Sequence, residues 1–249
     1  MKKIIFAALI SLCLFSQCTK DASFAPAYNN PVGQGGSLAR FAIVGNYLYS
    51  VDEKKLKVFD ISQPSSPVLK NNVFVGFEIE TIFPFKDKLF IGSTSVVHIF
   101  SITDPVNPQK LSQAISPQVL RRCDPVVAKD TVAFATLRTN GPCGGIQSIL
   151  AVFDIKDVEN PIQKSSVPVS EPYGLGYMSK TLYVCDRILG LQVFDISRPY
   201  SPLLIQSLKD GSYIDVIPYN QTLICWVEDG VIIYDITDNT NPVLLAKII

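Results

Sequence analysis

Residues 60–67 read DISQPSSP, and the phrase returns as SITDPVNP at 101–108, DIKDVENP at 154–161, DISRPYSP at 195–202 and DITDNTNP at 235–242. The first residues of these phrases are 41, 53, 41 and 40 positions apart, so the chain is built from five repeats of about forty residues, the third enlarged by about twelve. Each phrase follows an apolar run (LKVFDI, VHIFSI, LAVFDI, LQVFDI, VIIYDI) that reads as a strand. Working outward from it, every repeat has the same order. A first strand (RFAIV, TIFPF, DPVVA, GLGYM, DVIPY) passes through a turn to a second (LYSV, LFIGS, VAFAT, LYVCD, LICWV), then comes the phrase-bearing third, and a proline-marked bend leads to a fourth. Four antiparallel strands at this period predict an all-β fold, a β-propeller of five four-stranded blades.

The chemistry of the phrase is mechanical. The aromatic before the acid (Phe59, Phe100, Phe153, Phe194, Tyr234) is a large apolar anchor suited to packing blade on blade. The acid can accept hydrogen bonds from backbone N–H groups two residues on, in an Asx turn that ends the strand. The prolines cannot donate to a ladder and hold an extended crossing to the outer strand. Asp60, Asp154, Asp195 and Asp235 are therefore read as structural, since repeats spread around a ring do not bring them to one point.

The N-terminus is a targeting segment. Lys2 and Lys3 precede an apolar run, Ile4 to Phe15, too short to span a bilayer comfortably. The following LFSQCTKD resembles the lipobox of bacterial lipoproteins, which implies a lipid on Cys18, with Gln17 standing where a small residue is usual. The expected organisation is a signal peptide at 1–17, a tether at 18–37 rich in small and turn-forming residues, and a propeller at 38–249 with repeats 38–78, 79–121, 122–171, 172–212 and 213–249. The expected address is export, with a lipid anchor in the bacterial outer membrane. Formal charge balances at 22 basic and 22 acidic residues, which gives no field for nucleic acid. Export permits disulfides, and a Cys123–Cys143 bridge would close a loop worth about 3 kcal/mol in the loop-entropy model. Cys185 aligns with Trp226 and Cys225 with Val184, so these two point to opposite sides of adjacent blades and read as buried free thiols.

The third strands ending VFDIS before a P-x-x-P-like bend resemble the LVIVD repeat of bacterial and archaeal surface proteins, over residues 38–249. The stretch RRCDPVVAKDTVAFATLRTNGPCGG, from Arg121, looks like a feature of a Bacteroidetes-like lipoprotein subgroup. The resemblance implies a β-propeller on an exported protein and carries no reaction with it.

Few residues offer chemistry. The single histidine, His98, aligns with Lys57, Ala151, Gln192 and Ile232 and reads as a partly exposed strand residue. No metal or cofactor signature appears. Aligning the first strands gives Arg40, Thr81, Asp124, Gly174 and Asp215 at one level and Glu80 and Tyr173 one residue earlier. A channel mouth of Arg40, Asp124 and Asp215, rimmed by Glu80 and Tyr173, is a candidate site for a small polar ligand. The insertion Leu137 to Gln147 (LRTNGPCGGIQ) adds Arg138 and, if Cys143 is bonded to Cys123, lies close to Arg121, Arg122 and Asp124. The expected role is a non-catalytic binding module, a monomeric propeller with a protein or polysaccharide partner. The alternative is a polysaccharide hydrolase or lyase using Asp124 and Asp215 as acid and base. The ring closes either by packing blade five on blade one or by a strand exchanged between the chain ends.

Overall fold

The computed structural model describes residues 35–117, 125–139 and 147–249. Five four-stranded sheets form, each from consecutive strands. Blade 1 holds β1 (Phe41–Val44), β2 (Tyr47–Val51), β3 (Lys55–Asp60) and β4 (Val68–Phe74). Blade 2 holds β5 (Ile79–Phe85), β6 (Lys88–Ser93), β7 (Val97–Ser101) and β8 (Gln109–Ala114). Blade 3 holds β9 (Val126–Lys129), β10 (Val132–Leu137), β11 (Ile149–Asp154) and β12 (Ile162–Pro168). Blade 4 holds β13 (Pro172–Met178), β14 (Thr181–Asp186), β15 (Gly190–Asp195) and β16 (Leu203–Leu208). Blade 5 holds β17 (Tyr213–Tyr219), β18 (Thr222–Val227), β19 (Gly230–Asp235) and β20 (Val243–Ile248). The fold is a five-bladed β-propeller, and among the described residues each blade is built wholly from its own repeat.

The repeated phrase does what its chemistry predicts. Asp60 accepts from Ser62 N (3.0 Å), Asp154 from Lys156 N (3.0 Å), Asp195 from Ser197 N (2.7 Å) and Asp235 from Thr237 N (2.7 Å), while in blade 2 the Ser101 hydroxyl accepts from Thr103 N (3.2 Å). These bonds hold the Asp60, Asp195 and Asp235 carboxyls below their ordinary range, chiefly through the Ser or Thr two residues on. Just after the third strand turns outward, every outer strand carries one extra residue against it. The register shifts fall at Val58/Phe59, Ile99/Phe100, Val152/Phe153, Val193/Phe194 and Ile233/Tyr234. A bulge at the same place in each blade adds local twist and bends the outer strand.

Apolar cores lie between successive blades. The faces of blades 1 and 2, 2 and 3, 3 and 4, and 4 and 5 each enclose a buried cluster. Phe100, Phe153, Phe194 and Tyr234 sit in these four clusters, each about 1% exposed, which is the anchoring role expected of them. Polar latches supplement the packing. Tyr49 donates to Pro105 O (2.9 Å) and Tyr183 to Asn239 O (2.7 Å), each reaching the bend of the next blade. From the outer strands, Asn71 donates to Val106 O (2.9 Å) and Gln206 to Thr240 O (2.7 Å).

The junction between blade 5 and blade 1 is built differently. Phe59, the fifth anchor, is only half-buried, Phe41 is 59% exposed and Trp226, on the blade 5 face, is 53% exposed. Ser50 stands on the blade 1 face where other blades carry Ile91, Ala135, Val184 and Cys225, with the charged Lys57 beside it, and Ile224 and Ala246 occupy the latch positions of Tyr183 and Gln206. No buried cluster joins these two blades among the described residues. A clasp of hydrogen bonds in the central channel spans them instead. Ser37 Oγ and Leu38 N both donate to the Asp215 carboxylate (3.3 Å each), and Leu175 N donates to Ser37 Oγ (2.7 Å). Gly36 and Ser37, assigned by sequence to the end of the tether, are buried parts of the ring.

Candidate functional site: the two ends of the central channel

The first strands β1, β5, β9, β13 and β17 run side by side around the channel, and the clasp crosses it. At their N-terminal ends lies a polar mouth. Register shifts at Ile79/Thr81 on β5 and Pro172/Leu175 on β13 fall at Glu80 and Tyr173, and an irregularity of this kind re-aims the side chain it carries. The Arg138 guanidinium lies 4.0 Å from the centre of the Tyr173 ring, and that of Arg187 lies 5.4 Å away. Arg187 also donates to the Tyr173 hydroxyl (3.2 Å) and pairs with Glu228 (3.0 Å). Arg40 donates to Ile79 O (3.2 Å). Burial raises the Glu80 carboxyl above its ordinary range, opposed by the charges of Arg138 and Arg40.

The sequence candidates thus divide. Arg40, Glu80, Arg138 and Tyr173 come together at this mouth, with Arg138 placed by the start of the repeat-three insertion. Arg187 and Glu228 join them and were not singled out by alignment, because they lie in turns after the second strands. Asp215 is not at the mouth; its carboxylate faces inward to the clasp, and burial pushes it up to about 6 against the hydrogen bonds from Val216, Leu38 and Ser37. Gly174 is required beside it, since a Cβ there would stand 2.1 Å from Asp215 Oδ1. Cys18, Arg121, Arg122, Cys123, Asp124 and Cys143 lie outside the described residues.

His98 differs from its sequence reading. It is 5% exposed, because this position faces the preceding blade, and Lys57 is open only because blade 1 lacks such a cover. Burial and the nearby Lys110 charge push the imidazole down to about 4, and its Nδ1 has no hydrogen-bond partner. Cys185 and Cys225 are buried free thiols. Pointing to opposite sides of adjacent blades, they meet in the one core between blades 4 and 5, and burial pushes both thiols up. Among the described residues no cluster of three or more His, Cys, Asp or Glu side chains could hold a metal ion.

Past the clasp, the C-terminal ends of the first strands enclose a second space. A cavity of about 400 Å³ is lined by Phe41, Phe83, Phe85, Tyr177, Met178 and Pro218, with Gly35 to Ser37 as its roof and Lys86 and Ser179 at its outer edge.

A channel inside a ring of five four-stranded blades defines a propeller-type scaffold, and the comparisons with known proteins agree. The chain carries LVIVD repeats: the family model of the LVIVD repeat matches residues 35–75 and 179–210. No curated protein sequence matches the chain. Solved propellers do so in shape. The periplasmic gluconolactonase PpgL of Pseudomonas aeruginosa aligns with a TM-score of 0.60 at 12% identity, over 81% of this chain and 67% of its own. AztD of Citrobacter koseri gives 0.57 at 12% identity, over 86% and 60%, and BamB of Moraxella catarrhalis 0.56 at 10% identity, over 77% and 54%. The chain therefore spans between about half and two thirds of the length of these structures, and the likeness is one of fold.

Proposed function

We propose that the protein is exported, anchored through a lipid on Cys18, and acts without catalysis as a monomeric module that binds a protein partner at the polar mouth. The observation that carries this reading is Tyr173 held by Arg138 against its ring and by Arg187 at its hydroxyl, beside Glu80 and Arg40. Tyrosine and arginine are the residue types that dominate binding energy at interfaces, and here the ring is already held by its cationic neighbours, so little ordering is lost on docking. The insertion from Leu137 to Gln147 starts at this mouth and supplies a loop that other repeats lack. A Cys123–Cys143 bridge would hold that loop to its own blade. The hydrolase alternative is weakened because Asp215, one of its two carboxylates, is committed to the clasp.

The test is affinity capture from membranes of the source cell with the parent, with Arg138→Ala/Tyr173→Ala, and with residues 138–147 deleted. The expected result is one partner lost from both variants while their melting temperatures stay within a few degrees of the parent. An unchanged set of captured proteins would refute the reading.

A further inference from the structure

We propose that the cavity beyond the clasp is a binding site for an anionic amphiphile, an acyl chain bearing one carboxylate, entered from the turn end of the ring and independent of the polar mouth. Three observations point to this chemistry.

The first is the lining. Phe41, Phe83, Phe85, Tyr177, Met178 and Pro218 surround about 400 Å³, within the range of small-molecule sites. At about 30 Å³ per molecule that space equals roughly thirteen waters, and an apolar wall gives few of them hydrogen bonds. Methionine adds a side chain that reshapes easily around a slender guest.

The second is the roof. Gly35, Gly36 and Ser37 line the cavity, and Ser37 and Leu38 spend their polar groups on Asp215 and Leu175 N. The clasp therefore presents little hydrogen-bonding capacity to the cavity and separates it from Arg40, Glu80 and Tyr173. A Cβ on Gly36 would stand 2.0 Å from Asp215 Oδ2, so the roof cannot thicken.

The third is the charge at the open end. The turns joining first to second strands carry Lys86, Asp87 and Lys88 in blade 2, Lys129 and Asp130 in blade 3, and Lys180 in blade 4, with Gly45–Asn46 and Asn220–Gln221 uncharged. Within these turns four cations stand against two anions, with Asp195 at the end of the adjoining third strand near enough to Lys180 to feel its charge. Asp87 is taken by Lys88 (2.7 Å) and Asp130 by Lys129. Lys86, which lines the cavity and holds its ammonium 5.0 Å from the Phe85 ring, makes no direct ion pair among the described residues, with Asp130 near enough to feel its charge. Its backbone sits at φ 54°, so the turn holds it at the rim. An acyl chain among the aromatic side chains would bring its carboxylate to this ammonium.

The experiment is calorimetric titration of the full chain carrying Cys18→Ser with octanoate, decanoate and dodecanoate, and with decan-1-ol. Saturable binding is expected, tightening about fourfold per methylene as the chain lengthens. Lys86→Gln is expected to weaken decanoate about tenfold and leave decan-1-ol unchanged. Met178→Trp, which fills the cavity, is expected to weaken both at least tenfold with an unaltered circular dichroism spectrum. If Met178→Trp fails to fold, Pro218→Phe serves the same purpose from the opposite wall. No saturable heat with any probe, equal effects of Lys86→Gln on acid and alcohol, or binding seen only after residues 19–34 are deleted, the sign that the chain's own leader fills the space, would each overturn the proposal.

Discussion

Asp215→Asn is expected to uncover an acid sensitivity that the parent protein conceals. Two buried groups titrate in one window with opposite sign. The Asp215 carboxyl, ordinarily at 3.8, is pushed up to about 6 by burial, so its contribution to stability is complete below 3.8 and lost as pH rises through about 6. The His98 imidazole, ordinarily at 6.5, is pushed down to about 4 by burial, so its contribution is complete above 6.5 and lost as pH falls through about 4. Each gap corresponds to about 3 kcal/mol. Between pH 4 and 6.5 the two nearly cancel, and the parent should show a flat profile. Carboxylates held low at the surface, such as Asp52 at about 2, titrate below this window. With Asn at 215 the histidine is opposed only by Glu80, whose half-buried carboxyl is also raised, and stability should fall by up to about 3 kcal/mol from pH 6.5 to 4. His98→Gln should rise by a similar amount over the same range. The assay is urea unfolding at four pH values followed by far-ultraviolet circular dichroism, where 3 kcal/mol moves the midpoint by roughly 1–3 M. A flat profile for Asp215→Asn, or a parent that itself loses about 3 kcal/mol on acidification, would refute the reasoning.

Three further outcomes follow from the blade junctions. Phe100→Ala, in a sealed core, should cost about 3–5 kcal/mol in urea unfolding, whereas Phe59→Ala, at the half-open junction, should cost less than half as much; equal losses would contradict the junction described above. Tyr49→Phe and Tyr183→Phe each remove one latch and should cost about 1 kcal/mol, adding in the double variant because the sites do not touch. Cys185 and Cys225 should resist iodoacetamide in the native protein and react fully in urea, read by the mass gained per chain.

Local chemistry was open to sequence reading wherever a residue acts on its near neighbours. The Asx turns need only an acid and an N–H two residues away, and the anchor aromatics only a place on a strand, so the blades and the cores between them could be anticipated. The mouth was partly foreseen, because Arg40 lies at one level of the aligned first strands and Glu80 and Tyr173 at the level one residue earlier. What escaped depends on distance or register. Ser37 and Asp215 meet across 178 residues. The five bulges leave no mark in composition, since the extra residue is Lys, Leu or Ile by turns. His98 seemed exposed because its aligned partners include Lys57, whose openness belongs to blade 1's lack of a cover and not to the strand position.

The half-sealed face between blades 5 and 1 bears on how such chains change in length over evolutionary time. Because each blade among the described residues is built wholly from consecutive strands, gaining or losing a forty-residue unit beside blade 5 needs no re-threading of the other blades. A duplicated unit would find Ile224, Trp226, Val231 and Ile233 already arranged as the seat that Tyr183, Cys185, Leu191 and Val193 give to blade 5. What would have to part is the clasp that Ser37 and Leu38 make with Asp215 and Leu175.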